Sequence, residues 1–98
     1  MRQSAYETAK VEGKPHHRWL LIQRKLPTAK LLKGIRSLQK QSALHAQWIA
    51  DPYLKFPSDA DPCDVSYHRK IKWPNDIARQ REQIEILEGV INERTDKK

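Results

Sequence analysis

Residues 27–49, PTAKLLKGIRSLQKQSALHAQWI, constrain the fold more than any other stretch, because they read as one long helix with two chemically different sides. At about 100° per residue, Leu31, Ile35, Leu38, Ala46 and Ile49 fall on one stripe, with Leu32 at its edge and Ser42 inside it. Lys30, Lys33, Arg36 and Lys40 fall on the other side, followed along that side by Leu44 and Trp48. Such a helix buries one face in protein and offers cations, then an aromatic ring, to something else. Pro27 suits the first turn of a helix, and Asp51-Pro52 stops it, since a residue before proline is biased to extended geometry. Gly34 inside the helix has two readings: a mild weakening of about 0.5–1 kcal/mol, or the close approach of a backbone or a phosphate.

The other segments are arranged around this helix. Residues 1–15 are polar and end in Gly13-Lys14-Pro15, which predicts a basic, extended arm. Residues 16–26 hold a short apolar segment, Trp19-Leu20-Leu21-Ile22, between cations that include Arg18, Arg24 and Lys25. Helix is favoured there because nothing else in the chain supplies a sheet to join. Residues 51–73 are expected to be an irregular loop. Pro52, Pro57 and Pro62 remove backbone donors, Asp51, Asp59, Asp61 and Asp64 stay in water, and Tyr53, Leu54 and Phe56 fold back or dock on a neighbour.

Residues 74–95 predict the second convincing helix, opened by Pro74 with Asn75 or Asp76 as cap. Ile77, Gln80, Ile84, Leu87 and Ile91 form a coiled-coil-like seam, widened by Ile86 and Val90. Gln80, Gly89 and the short repeat argue against an autonomous coiled coil, so the seam should pack on the first helix or on a partner. The tail from Arg94 onward is polar and expected to fray. The predicted class is all-α and elongated: one small unit with two main helices, a proline-rich acidic loop and little private core.

Charge narrows the function. Residues 1–49 carry ten Lys or Arg against Glu7 and Glu12, a formal +8, whereas residues 50–98 carry nine against ten acids, a formal −1. The net +7 of the chain therefore lies in its first half, which points to a polyanion at one end and protein contacts at the other. Ser66 to Trp73 adds Arg69, Lys70 and Lys72 between two aromatics, a pattern that tracks phosphates and stacks bases, or that lays cation stems over a ring.

Chemistry is sparse. A single cysteine, Cys63, excludes an intramolecular disulfide and suits a reducing compartment. Asp59-x-Asp61-x-x-Asp64 lacks the mid-loop glycine and distal glutamate of a calcium loop, and Cys63, His68, His16, His17 and His45 lack paired-ligand spacing for zinc. No phosphate-cradling loop or nucleophile–base set is present, so neither an enzyme nor a cofactor or small-molecule substrate is expected. The longest apolar run, residues 19–22, is far short of the roughly 20 residues a membrane span needs. Arg2, Ser4 and the absence of acids before Glu7 faintly suggest an organelle-targeting segment, against which Glu7 and Glu12 count.

The combination of extended arms, few helices and a basic half resembles the small basic proteins of organellar ribosomes. Within that class, Trp48-Ile49-Ala50-Asp51-Pro52-Tyr53-Leu54 is similar to the W-L-x-x-P-Y-M pattern that follows a helix in one family of small mitochondrial large-subunit ribosomal proteins. The resemblance implies a mitochondrial, matrix-side location, contact with rRNA or other structured RNA, and neighbouring protein subunits. On this reading Lys30, Lys33, Arg36 and Lys40 neutralise phosphates, Arg18, Arg24, Lys25, Arg69, Lys70 and Lys72 extend the footprint, and Trp48 or Trp73 stacks on a base or anchors a protein partner. Leu44, Tyr53, Phe56, Ile77, Ile84, Leu87 and Ile91 then meet protein. The alternatives are an accessory scaffold subunit of a mitochondrial membrane-associated respiratory complex without RNA, and a coiled-coil adaptor.

Overall fold

A computed structural model describes residues 4–96; Arg2, Lys97 and Lys98 lie outside them. The chain is all-α, with two long helices and no strand among the described residues. The helices are α1 (Ala5–Ala9), α2 (His17–Gln23), α3 (Thr28–Ala50), α4 (Pro62–Tyr67) and α5 (Trp73–Asp96). A 3-10 turn spans Pro52–Leu54 and a π-helical turn spans His68–Lys72. The whole measures 57 × 27 × 24 Å.

The long helices pack antiparallel, and a series of cross-pairs sets their register. Gly34 faces Leu87, the Ser42 hydroxyl donates to Gln80 Oε1 at 2.8 Å, His45 Nε2 lies 3.4 Å from Asp76, and the Trp48 and Trp73 rings are 5.6 Å apart. The seam on α3 runs Leu31, Ile35, Leu38, Ser42, His45, Ile49, alternating steps of four and three; the seam on α5 runs Trp73, Ile77, Gln80, Ile84, Leu87, Ile91 in the same rhythm. That 3.5-residue repeat is the supercoiled geometry, and it rotates the buried line away from the straight 3.6-residue wheel. Ala46, expected in the stripe, is therefore exposed, while His45 and Trp48 turn inward. The two polar residues interrupting the seams, Ser42 and Gln80, satisfy each other, so Gln80 is buried without an orphaned polar atom.

A second interface covers the opposite side of α5. Ile86 and Val90 point away from the seam into a cluster with Leu20 of α2 and Ala9 of α1, which also includes Leu31, Ile35 and Leu87. Leu20, Leu31, Ile86 and Val90 are fully buried, each contributing about 1.5–3 kcal/mol of hydrophobic stabilisation. The arm expected over residues 1–15 is thus in part a short helix, capped by Ser4 and pinned by the Ala5 amide donating to Glu85 at 2.8 Å. Tyr6 lies on Gly89, where a Cβ would come within 2.1 Å of its ring. Gly13, at φ +85°, turns the chain from α1 towards α2, and left-handed His16 at φ 69° is held by its 3.0 Å pair with Glu82.

The end of α5 holds three segments together. Glu93 receives Arg24 at 2.6 Å and the Tyr6 hydroxyl, while Arg94 donates to Thr28 Oγ1 at 2.8 Å and to the carbonyls of Arg24 and Leu26. Arg94, expected to fray, instead donates to carbonyls of the turn between α2 and α3.

The expected irregular loop over 51–73 is irregular only in its first half. Asp51, Asp59, Asp61 and Asp64 are exposed, as expected, and Asp51 and Asp61 also accept from the Tyr53 and Cys63 amides. Helical geometry then runs unbroken from Pro62 to Asp96, so Pro74 does not start a helix and Asp76 does not cap one. In a regular α-helix the Pro74 ring would clash with the carbonyl four residues back and offer it no donor. Just ahead of it the chain widens into the π-turn, with the Trp73 amide bonding to the His68 carbonyl five residues back. Asp76 is left to engage His45, Lys72 and Arg79.

Candidate nucleic-acid interface

The antiparallel seam decides which side of α3 meets water. With Leu31 and Ile35 buried against α5, Lys30, Lys33, Arg36 and Lys40 are all exposed, and none has an ion pair among the described residues. Among the described residues no carboxylate of α5 pairs with them: Glu82 engages His16, Glu85 the Ala5 amide, Glu93 Arg24 and Tyr6, and Asp76 His45, while Glu88 is exposed and forms no ion pair with the row. Residues three and four apart on a helix are about 5–6 Å apart at Cβ, so these cations form a fixed row. Leu44 is exposed on the same side, as expected for a residue available to a partner.

The other expected cations divide. Arg18, Lys25, Arg69 and Lys70 are exposed and without ion pairs among the described residues, whereas Lys72 lies 3.7 Å from Asp76. Arg24 stays exposed but is paired within the chain: its hydrogen bond with Glu93 foremost, and the charge of that carboxylate, push its guanidinium pKa up, and Tyr6 completes the network. Of the expected cations Arg24 is thus already paired with a carboxylate of its own chain, at 2.6 Å from Glu93.

The aromatics expected to stack on bases or meet a partner are mostly spent within the chain. Trp73 is buried, with Trp48 at 5.6 Å, Phe56 at 5.8 Å and His68 at 5.7 Å between ring centroids. Lys55 sits 5.0 Å above Trp48 in a cation–π contact, and Trp48 is half-buried. Leu87 is buried too, and Ile77, Ile84 and Ile91 are half-buried along α5, so the partner expected for these residues is α3 and the aromatic cluster of the same chain. Tyr53 and Leu54, in contrast, are exposed. Sequence periodicity gave no sign of the Tyr6–Glu93–Arg24 network, whose members lie more than eighty residues apart at the extremes; a Gly in the final helix facing a distant aromatic was its only trace.

An open hollow of about 690 Å³ between α1, the following turn and α5 is lined by Thr8, His16, Arg81, Glu82 and Glu85 among others, but His16, Glu82 and Glu85 already bond one another or the backbone. Among the described residues no three His, Cys, Asp or Glu side chains are placed to hold a metal, and no helix is long and apolar enough to cross a membrane. No protein family, curated protein or solved structure matches the chain.

Proposed function

We propose that the chain is a structural, non-enzymatic RNA-binding subunit of a large ribonucleoprotein, and that the particle is the mitochondrial ribosome on the matrix side of the inner membrane. The observation that carries the RNA reading is the row Lys30, Lys33, Arg36 and Lys40, without ion pairs among the described residues, on the face of α3 that the fold leaves in water. Unsatisfied positive charge on one rigid helix is what a polyphosphate neutralises with release of its counterions. The choice of particle rests on the likeness of residues 48–54 to a mitochondrial ribosomal pattern, and neighbouring subunits would meet Leu44, Tyr53 and Leu54.

Salt dependence tests the first part. Neutralising about four phosphates gives a log–log slope of affinity against salt of roughly −3 to −4. Replacing the four cations with Gln should abolish most of that slope while leaving the helical circular dichroism spectrum intact, because none of the four supports the core. Binding that survives the substitution unchanged would refute the assignment of the face. Sedimentation tests the second part: nuclease-sensitive migration with ribosomal particles supports it, and nuclease-resistant migration with a detergent-solubilised respiratory complex would replace it with a scaffold role.

A further inference from the structure

We propose that the RNA recognised by α3 is double-helical and is held along its phosphate backbone, without stacking on unpaired bases. This rests on the RNA-binding reading above and specifies its ligand. Single strands gain affinity in two ways, from a basic groove and from rings on which successive bases stack, each stacked base being worth about 1–3 kcal/mol. The fold retains the charge and withdraws the rings.

The chain has seven aromatic residues. Trp48, Phe56 and Trp73 are locked to one another and to His45 and His68. Trp19 packs on the core, and Tyr6 does so with its hydroxyl held by Glu93. Only Tyr53 and Tyr67 are exposed, and they lie in the turn after α3 and at the end of α4. Tyr53 is more than ten residues beyond Lys40, about 15 Å or more along the direction of α3. The exposed apolar neighbours of the cation row, Leu32 and Leu44, are aliphatic and offer no π-face.

The row is also rigid. Lys30 to Lys40 extends about 15 Å along α3. A double helix presents phosphates at fixed positions and at about twice the charge per unit length of one strand, so it meets a fixed row of cations with little ordering of its own. A flexible strand must be ordered along the helix with no stacked base to offset that cost. The deep, narrow major groove of A-form RNA does not admit side chains, so duplex RNA is read through its shape and backbone, which matches a face of Lys and Arg alone.

The test compares two probes on the full chain at one salt concentration: a perfectly paired RNA hairpin and an unstructured oligouridine with the same number of phosphates. The hairpin should bind about tenfold tighter, because its phosphates are denser along the axis and already ordered. Tryptophan fluorescence should not be quenched by the oligouridine, since Trp73 is buried, Trp48 is half-buried among His45, Trp73 and Lys55, and Trp19 is half-buried against the core. Oligouridine that binds as tightly as the hairpin, or that quenches tryptophan emission, overturns the duplex proposal and leaves RNA binding standing. If neither probe binds at low salt, the RNA-binding reading itself falls.

Discussion

Two glycines illustrate how differently the same residue functions at different contacts. At Gly34 an added Cβ would lie 3.3 Å from Leu87 Cδ1, the flexible end of a side chain, whereas at Gly89 it would lie 2.1 Å from the Tyr6 ring. Alanine is favoured over glycine inside a helix by about 0.8–1 kcal/mol. Gly34→Ala should therefore leave the urea midpoint unchanged or slightly raised, while Gly89→Ala should lower stability by about 1–3 kcal/mol through overpacking and displacement of Tyr6 from Glu93. Tyr6 provides a pH signature as well. Loss of hydration on burial, then its hydrogen bond to Glu93 and the carboxylate charge, push its pKa up to about 12 from an ordinary 10. The folded chain holds the phenolic proton more tightly than the unfolded chain does. The stabilisation is complete below about pH 10 and disappears as pH rises from there to about 12. Urea midpoints measured on either side of pH 10 should fall more steeply for the native chain than for Tyr6→Phe; equal slopes would show that the Tyr6 proton does not contribute.

At the scale of the helices, α3 and α5 are joined by a seam whose polar members answer each other. Ser42→Ala alone leaves the buried Gln80 carbonyl oxygen without its 2.8 Å donor, at a cost of about 1–3 kcal/mol. Adding Gln80→Leu removes the unsatisfied group, so the double variant should recover most of the loss or exceed the native stability. The check is a double-mutant cycle by chemical denaturation, with additive effects arguing against the coupling. The seam of α5 was legible in Ile77, Ile84, Leu87 and Ile91 because their spacing is regular whatever they face. The inward turn of Trp48 was not, because a straight helical wheel misplaces residues over five turns once the helices supercoil. The local rule for Pro74 favours a helix start, but the π-turn over His68–Lys72 lets the helix continue through it, and Trp73 there packs near Phe56 and His68.

Across the whole molecule, α5 is the central element, with α3 on one side and α1 and α2 on the other. That closes the seam within one chain. Helicity should then be independent of protein concentration over about a hundredfold range, unlike that of an adaptor whose helix forms only on pairing. A rise in circular dichroism at 222 nm with concentration would mean that a second chain completes the fold. The elongated 57 Å body leaves the cation row of α3 away from the acidic residues engaged by α1, α2 and the end of α5.

The amino-acid sequence by itself determined the two long helices, the apolar line on each, the basic side of α3 and the absence of a disulfide within these 98 residues, because these follow from spacing and residue type. Only the tertiary structure decided which charges and rings remain available. Arg24 and Arg94 are taken up by groups tens of residues away, Trp48 and Trp73 close on each other, and residues 5–9 become a helix over Gly89. Those outcomes depend on contacts between distant segments, which exist only once α5 has been packed on both sides.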